Sequence, residues 1–254
     1  MTDVMSASQQ YLSLAILIPA FNEGSRLDVT LARIACSMDC VKAQIELPLS
    51  EVAIVVVDDG SAVPIEISPP VDERGLVHVW LLRHAVNLGQ GAALCTATAF
   101  ARDRLASNVF VTMDADGQHD PTDLPALLNA LNSTDVDIVF GNRFSGDVSQ
   151  IPPMRRLLLK AATAFERLIS GLNLSDAHNG FRAFGRNTAM LIDFQQNRMA
   201  HATEIKQIVR RNRLGYSEVP VSIRYSAETL AKGQRSAGSL VILRDLLSAY
   251  LFRA

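Results

Sequence analysis

The chain has 254 residues, 24 of them basic and 26 acidic, and 48% are hydrophobic. That length can bury one substantial core and fits a single large α/β domain, and so balanced a charge gives no reason to expect a nucleic-acid partner. The polar start, Met1 to Tyr11, has no signal-peptide pattern and no apolar run approaches the ~20 residues that span a bilayer, so a cytoplasmic protein is expected, soluble or peripheral on the inner face of the membrane.

Leu12 to Ile18 reads as a buried strand, ended by Pro19-Ala20-Phe21-Asn22-Glu23-Gly24. Ser25 is placed to cap a helix whose apolar positions Leu27, Leu31, Ile34 and Ala35 keep helical spacing. Cys36, Cys40 and Cys95 lie in apolar helix-like stretches without a second pair to complete a metal site, and read as buried thiols of a reducing compartment. Val52 to Val57 is a second buried strand, ending in Asp58-Asp59-Gly60-Ser61. Residues 62–75 carry three prolines and form a loop or a frayed edge strand. Val77 to Leu82 is a third strand, and the small residues of Ala92 to Leu105 suit a helix packed tightly on a sheet.

Val109-Phe110-Val111-Thr112-Met113 is a buried strand that stops at Asp114-Ala115-Asp116-Gly117-Gln118-His119-Asp120. A short helix, Pro121 to Leu131, and a strand, Asp137 to Phe140 with Gly141-Asn142-Arg143 at its end, follow. Pro152 to Leu172 starts basic, with Arg155, Arg156 and Lys160, and becomes amphipathic; Asp176 to Arg182 is a loop. Ala202 to Leu214 places Ile205, Ile208 and Val209 on one helical face and stops at Gly215. Val219, Val221, Ile223 and Tyr225 alternate with polar residues in a half-exposed strand. The chain closes with an amphipathic helix over 236–252. Strand and helix alternate throughout, which argues for a layered, largely parallel sheet.

Asp114 and Asp116 repel each other, and a hard divalent cation that also holds phosphates would suit the space between them. Taken alone, the pair reads equally well as a solvated acidic turn. The wider pattern is more specific, because Asp58-Asp59, Asp114-x-Asp116 and Asn142-Arg143 each end a predicted strand. A parallel sheet puts all three on one rim, where open α/β sheets bind ligands.

Ile18-Pro19-Ala20-Phe21-Asn22-Glu23, Val57-Asp58-Asp59-Gly60-Ser61, Asn87-x-Gly89-x-Gly91, Met113-Asp114-Ala115-Asp116-Gly117-Gln118-His119, Gly141-Asn142-Arg143 and Asp176-x-x-Asn179-Gly180-Phe181-Arg182 occur in that order. Together they resemble family-2 glycosyltransferases, in the subgroup of dolichyl-phosphate mannosyl- and glucosyltransferases, from about Leu14 to Ser236. The resemblance implies a GT-A fold, an α/β architecture with a mixed, mostly parallel central sheet flanked by helices. The catalytic domain is accordingly expected over 1–235, and the spacing of Leu240, Leu243, Leu247 and Leu251 adds a C-terminal amphipathic helix over 236–254. The resemblance also implies a UDP- or GDP-sugar donor, Mg²⁺ or Mn²⁺, and inversion at the anomeric carbon.

Under that resemblance Pro19, Phe21 and Glu23 match the first nucleotide-contacting loop, and Asp58 or Asp59 accepts a hydrogen bond from the base. Asp114, Ala115 and Asp116 match the metal-and-diphosphate motif, with Asp114 and Asp116 as metal ligands and Gln118 near sugar or phosphate. Gly89 and Gly91 let backbone approach the donor. Arg143, Arg182, Lys232 and Arg235 are cations that share the charge of the leaving diphosphate. Asp176 is the first choice for a base and Glu204 the reserve, although a phosphate acceptor is already anionic and needs none. His119 and His178 also lie within the motifs.

The acceptor implied is a polyprenyl phosphate or a hydroxyl of a surface glycan. Gln207-x-x-Arg210-Arg211 lacks the tryptophan of processive synthases, so one sugar per cycle is expected. The last helix suits a membrane interface, the core or a second subunit in a homodimer. Two rival readings are a sugar-phosphate nucleotidyltransferase, for which Phe21 to Arg26 is a poor glycine-rich loop, and a degenerate binding module, against which every motif carboxylate is retained.

Overall fold

The computed structural model describes residues 11–68, 75–145, 170–176, 179–194 and 200–224, with residues 156, 160, 163, 164, 166 and 167 between them. Seven strands form one sheet: β1 (Leu12–Ala20), β2 (Leu49–Asp58), β3 (Val77–Arg83), β4 (Val109–Thr112), β5 (Ile138–Asn142), β6 (Arg182–Gly185) and β7 (Tyr216–Pro220). Their order is β3-β2-β1-β4-β6-β5-β7. Only β6 runs against its neighbours; the pairs β1/β2, β2/β3, β1/β4 and β5/β7 are parallel. This is the mixed, mostly parallel sheet anticipated above.

The helices are α1 (Gly24–Gln44), α2 (Gln90–Arg104), α3 (Leu124–Leu131), α4 (Arg186–Leu191) and α5 (Ala200–Asn212). Residues 156, 160, 163, 164, 166, 167 and 170 are helical as well. Successive β1 side chains point to opposite faces, so a strand covered on both sides is apolar throughout. Leu14, Ile16 and Ile18 meet Leu27, Leu31 and Ile34 of α1 and Leu124 and Leu127 of α3. Ala15 and Leu17 meet Ala93, Leu94, Ala97 and Ala101 of α2 and Ile205 and Val209 of α5. Alanines four apart on α2 let its axis approach the sheet closely, as their small side chains suggested.

Several boundaries differ from the sequence reading. Ser25 lies inside α1, and Glu23 is the N-cap residue without a side-chain cap bond. Cys36 and Cys40 are exposed and Cys95 is half-buried. The buried stripe of α1 runs through Ile34, Met38 and Val41, so positions two residues beyond Ile34 and Met38 turn outward. Arg213, with φ of 54°, supplies the left-handed residue after α5, and the Leu214 N–H bonds back to the Val209 carbonyl. Gly215 instead makes room for Asp135, whose carbonyl oxygen would lie 1.7 Å from an added Cβ. The last strand ends at Pro220; beyond it the Val221 N–H still bonds to the Asn142 carbonyl and Ile223 bridges to His119. Tyr225, the 236–252 helix, the 235/236 boundary, Arg155, His178, Lys232 and Arg235 lie outside the described residues.

Candidate active site

The parallel strands bring the ends of β1, β2, β4 and β5 to one rim, uniting the three acid and amide clusters there. The loop after β4 is clamped from several elements. Thr30 Oγ1 of α1 donates to the Ala115 carbonyl at 3.1 Å, and Arg33 Nη1 donates to the Gly117 carbonyl at 2.6 Å. The Arg224 N–H donates to the Gln118 carbonyl, while its guanidinium grips Asp120 at 2.6 and 2.8 Å. Burial raises the Asp120 carboxyl, but the Thr122 N–H, Thr122 hydroxyl and Arg224 outweigh it and hold the group below the usual range.

His119 is a positioning group within this loop. It is 3% exposed and stacks on Phe181 at 5.0 Å. Its Nδ1 accepts the Asp114 N–H at 3.1 Å, and burial keeps the imidazole below its ordinary pKa, outweighing the attraction of Asp114 and Asp116. The neutral ring therefore carries its proton on Nε2, 3.7 Å from Asp114 Oδ2.

Both motif carboxylates reach the cleft. The Asp114 side chain is 37% exposed, and its Oδ1 accepts from Gln90 Nε2 at the start of α2. Gly180 is required beside it, because an added Cβ would lie 2.9 Å from Asp114 Oδ2. Asp116 accepts from the Gln118 N–H at 3.0 Å and from Gln118 Nε2 at 2.5 Å. Gln118 thus holds Asp116, since a half-buried carboxylate needs donors. Burial, then the charges of Asp114 and Glu23, push the Asp116 carboxyl above the usual range despite the Gln118 N–H. Two hard, mutually repelling oxygen ligands fit a cation that keeps waters and phosphates in its shell. Among the described residues no third His, Cys, Asp or Glu completes a protein-only metal cage.

At the end of β2 the Asp58-Asp59 pair is buried and bound to backbone N–H groups. Asp58 is fully buried and accepts the Ser61 and Ile65 N–H groups at 2.9 and 3.1 Å. Asp59, 3% exposed, accepts the Leu88 and Gly89 N–H groups at 2.9 and 2.7 Å. His84 links it onward, with Nδ1 2.7 Å from Asp59 Oδ1 and Nε2 2.9 Å from Thr96 Oγ1. Both carboxylates thus hold the loops of this rim through backbone donors. Gly60, at φ of 70°, sits so near Val86 that an added Cβ would meet backbone at 2.4 Å. Gly89, at φ of 97°, opens α2, and Gly91 is buried in its first turn. Phe21 is 45% exposed, with Pro19 and Glu23 half-buried beside it.

Across the cleft, β6 reverses direction, so its first residue stands beside the last residue of β4: Arg182 pairs with Thr112. The sequence reading ended a loop at Arg182 and missed both β6 and α4. Arg182 is 2% exposed, its Nε has no hydrogen-bond partner among the described residues, and burial pushes its pKa down to about 10 against Asp114 and Asp176. Asp176, also 2% exposed, accepts from the Arg143 N–H at 3.1 Å and from Arg143 Nε at 2.5 Å. The residue read as a base is thus one half of a buried ion pair, and Arg143 is the other. Glu204 lies near Cys95 of α2, whose thiol is raised by burial first and then by Asp193 and Glu204.

Thr30, Arg33, His84, Gln90 and Arg224 were not singled out from sequence. Gln90 alone carried a signal, lying between the two glycines of Asn87-x-Gly89-x-Gly91.

The architecture is that of the GT-A glycosyltransferases. The chain matches Glycosyl transferase family 2 over residues 15–190 and belongs to that family. It is 32% identical over 229 residues to undecaprenyl-phosphate mannosyltransferase of Micrococcus luteus, spanning 87% of each chain. It is 29% identical over 233 residues to polyprenol monophosphomannose synthase of Mycolicibacterium smegmatis, spanning 89% of this chain and 82% of that one. Glucosyl-3-phosphoglycerate synthase from Mycobacterium tuberculosis, in complex with Mn²⁺, UDP and phosphoglyceric acid, superposes with a TM-score of 0.52. Its identity is 18%, over 92% of this chain and 78% of that chain, a likeness of fold.

Proposed function

We propose that the protein transfers one hexose from a UDP- or GDP-sugar to a polyprenyl phosphate, with inversion at the anomeric carbon. The observation that carries this reading is the meeting at one rim of two partly open carboxylates, Asp114 and Asp116, with the buried Arg182 and the half-buried Arg143. One side calls for a cation and a diphosphate; the other favours a second anion. The names of the two bacterial relatives, which cite undecaprenyl phosphate and polyprenol monophosphomannose, support a lipid phosphate over a glycan hydroxyl.

Asp114 and Asp116 would hold Mg²⁺ or Mn²⁺, which supplies Lewis-acid neutralisation of the leaving nucleoside diphosphate. The acceptor phosphate oxygen forms the new bond to the anomeric carbon as the bond to the donor's β-phosphate oxygen breaks. That oxygen is already anionic, so no proton is removed, and Asp176 orients Arg143 instead of acting as a base. Arg143 and Arg182 stabilise phosphate charge from a dry, preorganised position. The acceptor's lipid implies work at the inner face of the cytoplasmic membrane. Among the described residues no helix is long and apolar enough to cross it.

Calorimetric titration with UDP and GDP, with and without Mn²⁺, tests the donor side. Metal-dependent binding of one nucleotide is expected, followed by sugar transfer from that nucleotide to a polyprenyl phosphate. Pyrophosphate release from a nucleoside triphosphate and sugar phosphate would instead establish a nucleotidyltransferase.

A further inference from the structure

Behind the acceptor half lies a second buried ion pair that contacts neither cleft carboxylate. Lys206 Nζ is 2.8 Å from Glu166 Oε2, and both side chains are 1% exposed. Thr203, one helical turn before Lys206 on α5, donates its hydroxyl to Glu166 Oε1 at 2.6 Å. The same two segments are joined again where Arg210 Nη1 donates to the Ser170 carbonyl at 3.2 Å. A buried pair of this kind is seldom the most stable filling for its space, since apolar side chains of similar volume do as well or better. Its cation has a further relation to the site. The charged groups acting on Lys206 are Glu166 from the 156–170 segment, Arg182 from β6 and Asp176 from the preceding loop. Among the described residues the negative charges acting on Arg182 are Asp114 and Asp176, and its Nε has no hydrogen-bond partner there.

We propose that Lys206, anchored on Glu166, is a positioning residue for transfer, its buried charge keeping Asp176 from neutralising Arg182 and so preserving positive potential for the acceptor and leaving phosphates. This rests on the glycosyl-transfer reading above. Burial, with Arg182 adding to it, pushes the Lys206 pKa down to about 8 against Glu166 and Asp176, so the charge is lost on mild alkalinisation.

The test compares wild type, K206R and the neutral pair K206M/E166Q, in which neither partner is left as a lone buried charge. Nucleotide and Mn²⁺ titration first shows that each binds the donor side; a wild type that binds neither UDP nor GDP would defeat the transferase reading, not this one. The neutral pair is expected to keep nucleotide affinity and a Tm within about 5 °C of wild type. Its turnover at saturating donor and acceptor should fall about tenfold, as for other lost electrostatic support. Wild-type kcat should decline as pH rises through about 8. Stability should not decline with it, because a lysine whose folded pKa lies below its unfolded value favours the folded state as pH rises between the two. K206R should restore turnover and remove the alkaline limb. A neutral pair within twofold of wild-type turnover, a loss confined to donor KM, or a wild-type kcat flat from pH 7 to 10 would each overturn the proposal.

Discussion

The two sides of the cleft handle charge in opposite ways. On the metal side, Asp114 and Asp116 keep part of their surface open, and their loop is held mainly through its carbonyl oxygens by Thr30, Arg33 and the Arg224 N–H. On the acceptor side, Arg143, Asp176, Glu166 and Lys206 are paired with one another and largely shut from water. The first arrangement sets two like charges side by side, a geometry that the proposed cation would complete. The second is compensated within the protein and keeps cationic character chiefly at Arg182. Sheet topology underlies this division. Parallel strands deliver their carboxyl ends to the rim, whereas reversed β6 delivers its first residue, placing a buried arginine opposite the metal loop.

The largest effect should come from removing a carboxylate on the open side. Asp116→Asn and Asp114→Asn are each expected to lower turnover by roughly 10²–10³-fold, the scale of losing a preorganised charge stabiliser. Mn²⁺-dependent nucleotide binding should vanish with it in calorimetry. Binding that survives in both variants would mean that the open side needs no cation.

Asp176→Asn probes the compensated side. It leaves Arg143 without its buried counter-charge while keeping the shape of the side chain. Acceptor KM should rise about tenfold, in line with a weakened charged hydrogen bond, with donor affinity unchanged. Loss of nearly all turnover at saturating donor and acceptor would restore Asp176 as the base.

The open side was the more legible of the two in sequence. Asp114 and Asp116 interrupt an apolar strand, and alternating strands and helices forced the strand ends onto one rim. The acceptor side was hidden for physical reasons. Strand β6 has only Arg182, Ala183, Phe184 and Gly185, too few residues to show a period of two. Lys206 stands beside Ile205 in an amphipathic helix and looks like a solvated charge; only the distant Glu166 reveals it as buried. The clamps escaped similarly, because Thr30 meets Ala115 across 85 residues and Arg224 meets Asp120 across 104. Asp58 and Asp59 were legible as rim residues, but their role depended on N–H groups that no sequence pattern aims.

Acidification should separate function from fold. Asp116 is raised above the usual carboxylate range, so it takes up a proton, and metal-dependent nucleotide binding weakens, before ordinary carboxylates titrate. Asp58 and Asp120 are depressed, so their contribution to stability is complete above the unfolded value near 3.9 and is lost only as pH falls through their lower folded values. Nucleotide titration and thermal melts at matched pH should therefore show binding fading first. Simultaneous loss would place both sets of carboxylates in one unfolding transition.

The smallest effect expected is that of Thr30→Val, which removes one clamp and little else. The Thr30 hydroxyl lies 3.1 Å from the Ala115 carbonyl and 3.0 Å from the Arg26 carbonyl of its own helix. Valine keeps the branched shape but leaves the buried Ala115 oxygen without this donor, at a cost of about 1 kcal/mol. For a chain of this size that corresponds to a Tm lower by about 2–4 °C. Arg33, His119 and Arg224 still hold the loop at Gly117, Asp114 and Gln118. Mn²⁺-dependent nucleotide affinity should consequently fall no more than about threefold, the equivalent of under 1 kcal/mol. A much larger loss of affinity at unchanged Tm would mean that the Ala115 carbonyl itself fixes the carboxylates, making Thr30 the principal clamp of the open side.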